Sequence, residues 1–524
     1  VLSPFRRVAG IVGIAVVATL GITACSAGSS DSSSQSGKSV VVDSSFDLKT
    51  ADPNREYETT GSIVAKALYE TLLTFEGDDV TKPVAGLADY EMNADNTVMT
   101  LTMADGHVFS DGTPVTVDDA VFSLQRVQGI KGNPSFLLEG VTVEKTSDTT
   151  LTLTSAEPNP ALPYILPNPA LGVVNKKVVE ANGGTATDAD DAEAYLNGAS
   201  AGSGPYMLES FDVASQVVFT KNPEYTGDAP AYDRVVLRNV QGPTQKLNIQ
   251  AGESQVALDL NPDQVAELDG ADVTVLSSPS RYMIFLLLNQ DPAVSAITSN
   301  PDFLKAVKAG IDYDKIVDLA GDGSVQPGGF IPSLFVGAID ASDGNQHDVA
   351  AAKASLAASG YAGEDVTLNF PNDITVQGLS LQSVAESVQA QLKEVGINLV
   401  LAPAPVATEL DAYRDGKETV GLWYWGPDFP DPSNYLAFTP GELVGLRAGW
   451  AAGADQTVSD LATAANAAVS TDERQSAYAA LQQAQNASGP FVPLLQPAQN
   501  VVTSPSITGV SLNPVWTIDL AGIE

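Results

Sequence analysis

Cysteine occurs once in 524 residues, at Cys25, and histidine twice, at His107 and His347. A single thiol excludes an internal disulfide and a thiolate metal cluster. Neither histidine has the HExxH spacing or a neighbouring Cys/His cluster that would hold zinc, so no metal or cofactor is expected. Basic residues are scarce as well: 26 Lys and Arg face 64 Asp and Glu, a formal net charge of −38. So acidic a surface repels nucleic acid and anionic lipid head groups, while solubility alone accounts for most of the carboxylates. The GxSxG nucleophile elbow and the GxxxxGK[ST] phosphate loop are also missing. "GSGPY" at 202–206 lacks the GxGxxG order of a dinucleotide site and reads as a turn. Asp428 and Asp431 could be written as an acid/base pair, but spacing alone does not define one, and Pro430 prevents a regular helical face between them. The expectation is a protein that is not an enzyme.

At the start of the chain, Arg6 and Arg7 precede an apolar run over residues 8–24 that stops at Cys25. The run is marginal for a membrane span, which needs about 20 apolar residues. "ITAC" at 22–25 resembles the bacterial lipobox, with Ile22 where leucine is commoner, and implies a signal peptide over 1–24 and lipidation at Cys25. Val1 is read as a non-standard start or the residue after a trimmed methionine. Small polar residues fill 25–38, the composition of a flexible tether, and two or more acyl chains would anchor it stably. Without the two signal arginines the balance is 24 basic against 64 acidic residues, or −40.

What remains is too long for one hydrophobic core and predicts two large lobes or several domains. Residues 39–46 are β-branched and apolar, a first strand. "EYETTGSIVAKALYETLLTF" at 56–75 predicts a helix, Met99, Leu101 and Met103 alternate as in a half-buried strand, and "VTVEKTSDTTLTLT" predicts a hairpin. Thr116 and Asp119 have capping-box spacing ahead of a helical face of Ala120, Val121, Leu124 and Val127. The clearest α/β unit is late: Val366, Leu368 and Phe370 alternate, apolar residues recur helically from Leu381 to Val395, Gly396 is placed to stop that helix, and "INLVL" follows as a strand. That order favours adjacent parallel strands. The alanine-rich segment 462–487 predicts two surface helices, the second capped at Ser470 or Thr471.

Several blocks, in order, carry a family likeness: "ALYETLLTF" at 67–75, "PVAGLADY" at 83–90, "FSDGTPVTVDDAVFSLQR" at 109–126, "GSGPYML" at 202–208, "KNPEYTGDAPAYDRVVLRNV" at 221–240 and "AESVQAQLKEVGINLVL" at 385–401. With them the chain resembles the family 5 extracellular solute-binding proteins of ABC importers, the oligopeptide, dipeptide and nickel receptor family, as a lipoprotein of actinobacterial type. Thr226 departs from a common tryptophan, and Lys308 stands where relatives often carry arginine, whose bidentate fork lysine lacks.

The resemblance implies an α/β periplasmic-binding-protein-like fold of two lobes joined by a hinge. The first lobe would comprise 39–62, 165–275 and 495–524, an inserted subdomain 63–164, and the second lobe 276–494. It implies capture of short peptides between the lobes and delivery to a membrane permease with its ATPase subunits, by a monomer lipid-anchored on the extracytoplasmic face of the cell membrane. In "WYWGPDFPDPSNY" at 423–435, Trp423, Tyr424 and Trp425 would wall the cleft and Asp428 would accept the peptide ammonium, with Asp431 ordering the loop. Arg447, with Arg281 and Arg414 as alternatives, would meet a ligand carboxylate, and Tyr282, Phe285 and Asn289 would lie at the hinge or cleft. Another amine, a sugar or a chelated metal is the alternative cargo, and a lipid-anchored sensor the alternative role.

Overall fold

The computed structural model describes residues 37–524; Cys25 and the leader and tether expected before residue 37 lie outside the described residues. Strand Ser39–Ser44 reads SVVVDS, and its valines suit the middle of a sheet. It pairs in parallel with Arg234–Asn239 on one side and Val256–Ala257 on the other. The sheet has seven strands, in the order Thr274–Pro279, Ala498–Thr503, Val256–Ala257, Ser39–Ser44, Arg234–Asn239, Gln216–Lys221 and Tyr206–Asp212. The boundary expected at 275/276 thus falls inside a strand of this first lobe.

The second lobe is built on five strands in the order Asn398–Ala404, Asp365–Pro371, Val420–Trp425, Met283–Leu288 and Phe491–Leu495. Met283–Leu288 reads MIFLLL and is buried on both faces. Its period of two sends Ile284, Leu286 and Leu288 into one apolar core, and Met283, Phe285 and Leu287 into another. Each such side chain contributes about 1.5–3 kcal/mol by leaving water. Phe285, expected at the hinge or cleft, is therefore core. The late α/β unit forms as its pattern implies: Asp365–Pro371 and Asn398–Ala404 pair in parallel around helix Leu381–Val395, and Gly396, at φ +106°, supplies the left-handed stop.

A separate antiparallel sheet of Ala88–Met92, Val98–Met103, Thr150–Ser155 and Val141–Lys145 carries its own core with helix Val117–Gly129. At that helix's start, the Thr116 N–H donates to Asp119 Oδ2 (3.0 Å), aspartate serving where glutamate is usual. Near its end, Arg126 is completely buried and ties this subdomain to the first lobe: it donates to Asp52 Oδ1 (2.7 Å), Asn54 Oδ1 (3.0 Å) and Asp190 Oδ2 (2.8 Å).

One expected element differs. The helix predicted over 56–75 runs only from Thr59 to Leu68, and Leu73–Glu76 is instead a strand paired with Asp79–Ala85. Tyr69 is already extended, and the backbone of Gly202 and Gly204 crosses tightly over the helix end: a Cβ on Gly202 would lie 2.1 Å from the Leu68 carbonyl oxygen. Tertiary packing ends the helix where local periodicity would continue it. The second alanine-rich helix, Thr471–Ser488, starts at Ser470 through a capping box with Glu473, and is no mere surface helix: Arg474, Tyr478, Leu481 and Gln482 are buried.

Two stretches connect the lobes, residues 280–282 and 496–497. Gln496 is buried between them, its Nε2 donating to the Ser280 carbonyl (2.7 Å) while its Oε1 accepts from the Ser333 N–H (3.1 Å). The crossings are thereby held side by side, which makes them one hinge.

Candidate functional site

Antiparallel pairing sets the aromatic strand Val420–Trp425 against Met283–Leu288, with Tyr424 opposite Ile284 and Trp423 opposite Phe285. Alternation then sends the tryptophans to one face and Tyr424 to the other. Trp423 is buried: its ring stacks on Tyr413 (centroids 4.2 Å apart, 19° between planes), and its Nε1 donates to Glu418 Oε2 (2.8 Å). Burial, followed by the neighbouring Glu409, pushes the Glu418 carboxyl up to about 8, against the favourable bond from Trp423. Trp425 is half-buried, edge-on to Phe438, and donates to Asn434 Oδ1 (3.2 Å).

Tyr424 faces a cavity of about 600 Å³ between the lobes. The second lobe and the hinge contribute Arg281, Tyr282, Tyr424 and residues 375–378; the first contributes Asp47, Thr59, Thr60, Asp259 and Asn261 among others. Tyr282 and Tyr424 meet edge to face, centroids 6.0 Å apart. Arg281 donates to the Pro514 carbonyl (2.9 Å) and reaches the Tyr282 hydroxyl (3.4 Å). Neither partner is a carboxylate. The guanidinium lowers the Tyr282 hydroxyl's pKa, its charge outweighing the opposing effect of burial. Burial works against the charge on Arg281 itself, but Tyr282, Tyr57 and Asp428 hold its pKa above the ordinary value.

Asp428 sits beside this wall rather than in the cavity lining. One carboxylate oxygen accepts from the Tyr57 hydroxyl of the first lobe, the other from Asn434 Nδ2 (3.4 Å). Burial first, and then Asp428, raise the Tyr57 pKa, so that phenol stays a donor. Asp431 is fully buried, ends the loop by accepting from the Ser433 N–H (2.9 Å), and pairs with Arg474.

Of the residues singled out in the sequence, the structure brings Tyr282, Tyr424 and Arg281 together at the cavity, with Asp428 adjacent. It does not bring Trp423, Trp425, Asn289 or Arg447 into the lining. Asn289 is completely buried and its amide is spent on the protein, donating to the Gly416 (2.8 Å) and Glu418 (2.9 Å) carbonyls and accepting from the Asp291 N–H (3.0 Å). Arg447 lies over the Tyr413 ring (4.7 Å), behind the Trp423 stack, and Arg414 is exposed at a helix end. Asp47, Asp259 and hairpin 375–380 escaped the sequence reading. The only local signals were a two-residue Gln377–Gly378 turn and the Asn261–Pro262 helix start.

Residues 82–442 match the family described as "Bacterial extracellular solute-binding proteins, family 5 Middle". The chain belongs to that family. As a family 5 protein it is a transport receptor and carries out no catalysis. It is 26% identical over 412 residues to the probable D,D-dipeptide-binding periplasmic protein DdpA of Escherichia coli K12, covering 76% of this chain and 77% of the relative. It is 25% identical over 433 residues to that organism's periplasmic oligopeptide-binding protein OppA, covering 76% of each. Among solved structures, the ABC transporter substrate-binding protein CtaP of Listeria monocytogenes superposes with TM-score 0.80 at 19% identity, over 93% of this chain and 99% of that one. The two-lobe, hinged α/β periplasmic-binding-protein fold is the one that structure shares with this family 5 chain.

Proposed function

We propose that this family 5 receptor captures short peptides in the cavity between its lobes and delivers them to an ABC permease with its ATPase subunits. The observation that carries the reading is Arg281: a guanidinium at the hinge, lining the cavity, whose hydrogen bonds among the described residues go to a carbonyl and a phenol. Such a group suits a ligand carboxylate, since charge-assisted bonds in a water-poor site are the stronger kind. Tyr282 and Tyr424 form the apolar wall beside it. Asp428 is the ammonium acceptor in this proposal, exchanging the Tyr57 hydroxyl for the ligand; Trp423 and Trp425 anchor the Tyr424 strand from its other face, Arg447 covers the Tyr413 ring stacked on Trp423, and Asn289 ties the end of strand Met283–Leu288 to residues 416–418. Relatives named as D,D-dipeptide-binding and oligopeptide-binding proteins support peptide as cargo. The proposal places the receptor as a monomer on the extracytoplasmic face of the membrane, anchored through lipid on Cys25, with its lobes meeting at the crossings 280–282 and 496–497.

A second reading has its own observation. Asp47 and Asp259 line the same cavity as the single Arg281, a surplus of negative charge that favours an amine-rich ligand.

Calorimetric titration with tri-alanine and its C-terminal amide separates these readings. The peptide reading expects the amide to bind at least tenfold more weakly than the free acid, and Arg281→Gln to abolish that difference. Equal binding of acid and amide to the wild type, or binding of a polyamine with no peptide binding, contradicts it.

A further inference from the structure

In the cavity lining the lobes approach each other closely at a glycine. Strands Thr375–Val376 and Leu379–Ser380 form a hairpin in which Thr375 pairs with Ser380 and Val376 with Leu379. The turn residues Gln377 and Gly378 have φ of +50° and +78°, the left-handed pair a tight two-residue turn requires. The arms are rooted: Val376 and Leu379 are buried in the second lobe's core, and Ser380 caps helix Leu381–Val395, accepting from the Gln382 N–H (3.2 Å). The tip reaches the first lobe. A Cβ on Gly378 would lie 2.6 Å from Asn261 Cβ and 2.7 Å from Asn261 Cα.

The receiving side is equally fixed. Asn261 starts helix Pro262–Ala266 in a capping box with Gln264, the Gln264 N–H donating to Asn261 Oδ1 (2.8 Å) and the Asn261 N–H to Gln264 Oε1 (3.0 Å). A second glycine meets the same helix start: Gly321, at φ +76°, comes so near that its Cβ would be 3.2 Å from Pro262 Cβ. Asn261, Gln264 and residues 375–378 all line the cavity. Two stiff elements, one from each lobe, therefore meet in the cavity lining, and glycine at the tip is what lets them meet.

We infer that the Gln377–Gly378 tip, seated on Asn261, closes one end of the cavity and sets the length of ligand it admits. A chain that fits behind the tip leaves the contact intact; a longer one must lift it and lose the interlobe contact. The inference rests on the peptide reading for its cargo, and on the Gly378–Asn261 approach for its mechanism.

Gly378→Ala inserts a methyl group where Asn261 leaves no room, so the tip must lift. Wild-type protein of residues 37–524 should bind tri-alanine at least tenfold more tightly than hexa-alanine, and Gly378→Ala should cut that ratio below threefold. An unchanged ratio in a variant that melts like the wild type overturns the inference. The contact is also tested without any ligand. Amide hydrogen exchange of the ligand-free protein over residues 261–266 of the first lobe should be slower in the wild type than in Gly378→Ala. Equal exchange in the two overturns the inference. If neither peptide binds the wild type, the peptide reading and the length limit fall together, and the exchange comparison reports whether the interlobe contact survives them.

Discussion

Glu418 shows how a single residue behind the binding wall makes the fold sensitive to pH. It is almost wholly buried, shares its surroundings with Glu409, and accepts from Trp423. Burial raises its carboxyl from 4.5 to about 8. Between those values the folded protein holds a proton that the unfolded chain has released, so rising pH favours unfolding. Its contribution is fully present below about pH 4.5 and is lost by about pH 8. Glu418→Gln keeps an acceptor for Trp423 and removes the titration. Its melting temperature should match the wild type near pH 5 and exceed it near pH 8.5; a parallel fall of both proteins across that range would contradict this. Lys308 tells a related story. Where relatives often carry arginine, Lys308 donates to the Asn486 (2.7 Å) and Gly489 (2.8 Å) carbonyls at the end of a helix, and burial lowers its pKa to about 7. Residue roles such as these were the least legible in the sequence. The sequence favours Arg447 over Arg281 as the cation for a ligand carboxylate; the fold instead puts Arg281 on the cavity and Arg447 behind a stacked tryptophan.

Elements read from the sequence held wherever the deciding physics was local. The capping box at Thr116, the helix cap expected at Ser470 or Thr471 and found at Ser470, the stop at Gly396 and the hairpin Val141–Lys145 with Thr150–Ser155 depend on neighbours within a few residues. The helix expected to continue past Leu68 failed because its end is set by glycines more than a hundred positions away. The hairpin 375–380 was missed for the same reason, since its meaning comes from Asn261 in the other lobe. Arg126 extends this logic to a whole subdomain: a buried guanidinium shared by Asp52, Asn54 and Asp190 fixes helix Val117–Gly129 to the first lobe. Arg126→Ala leaves the buried Asp52 and Asp190 carboxylates with Arg55 as their remaining cation and should cost about 3 kcal/mol. Denaturant unfolding checks this; a loss under about 1 kcal/mol would show the cluster to be incidental.

The family-like blocks, in their order along the chain, made the two-lobe architecture legible through the resemblance they carry. The cavity was not legible, since its walls come from residues as far apart as Asp47, Asp259, Arg281, Gly378 and Tyr424. Its chemistry, one hinge guanidinium beside an aromatic pair, suits the proposed binding of a small ligand that carries a carboxylate. Native mass spectrometry of gently purified residues 37–524, followed by denaturation and identification of what is released, tests that account most directly. Heterogeneous short peptides, retained less well by Asp428→Asn, are the predicted result; a single non-peptide solute would contradict it.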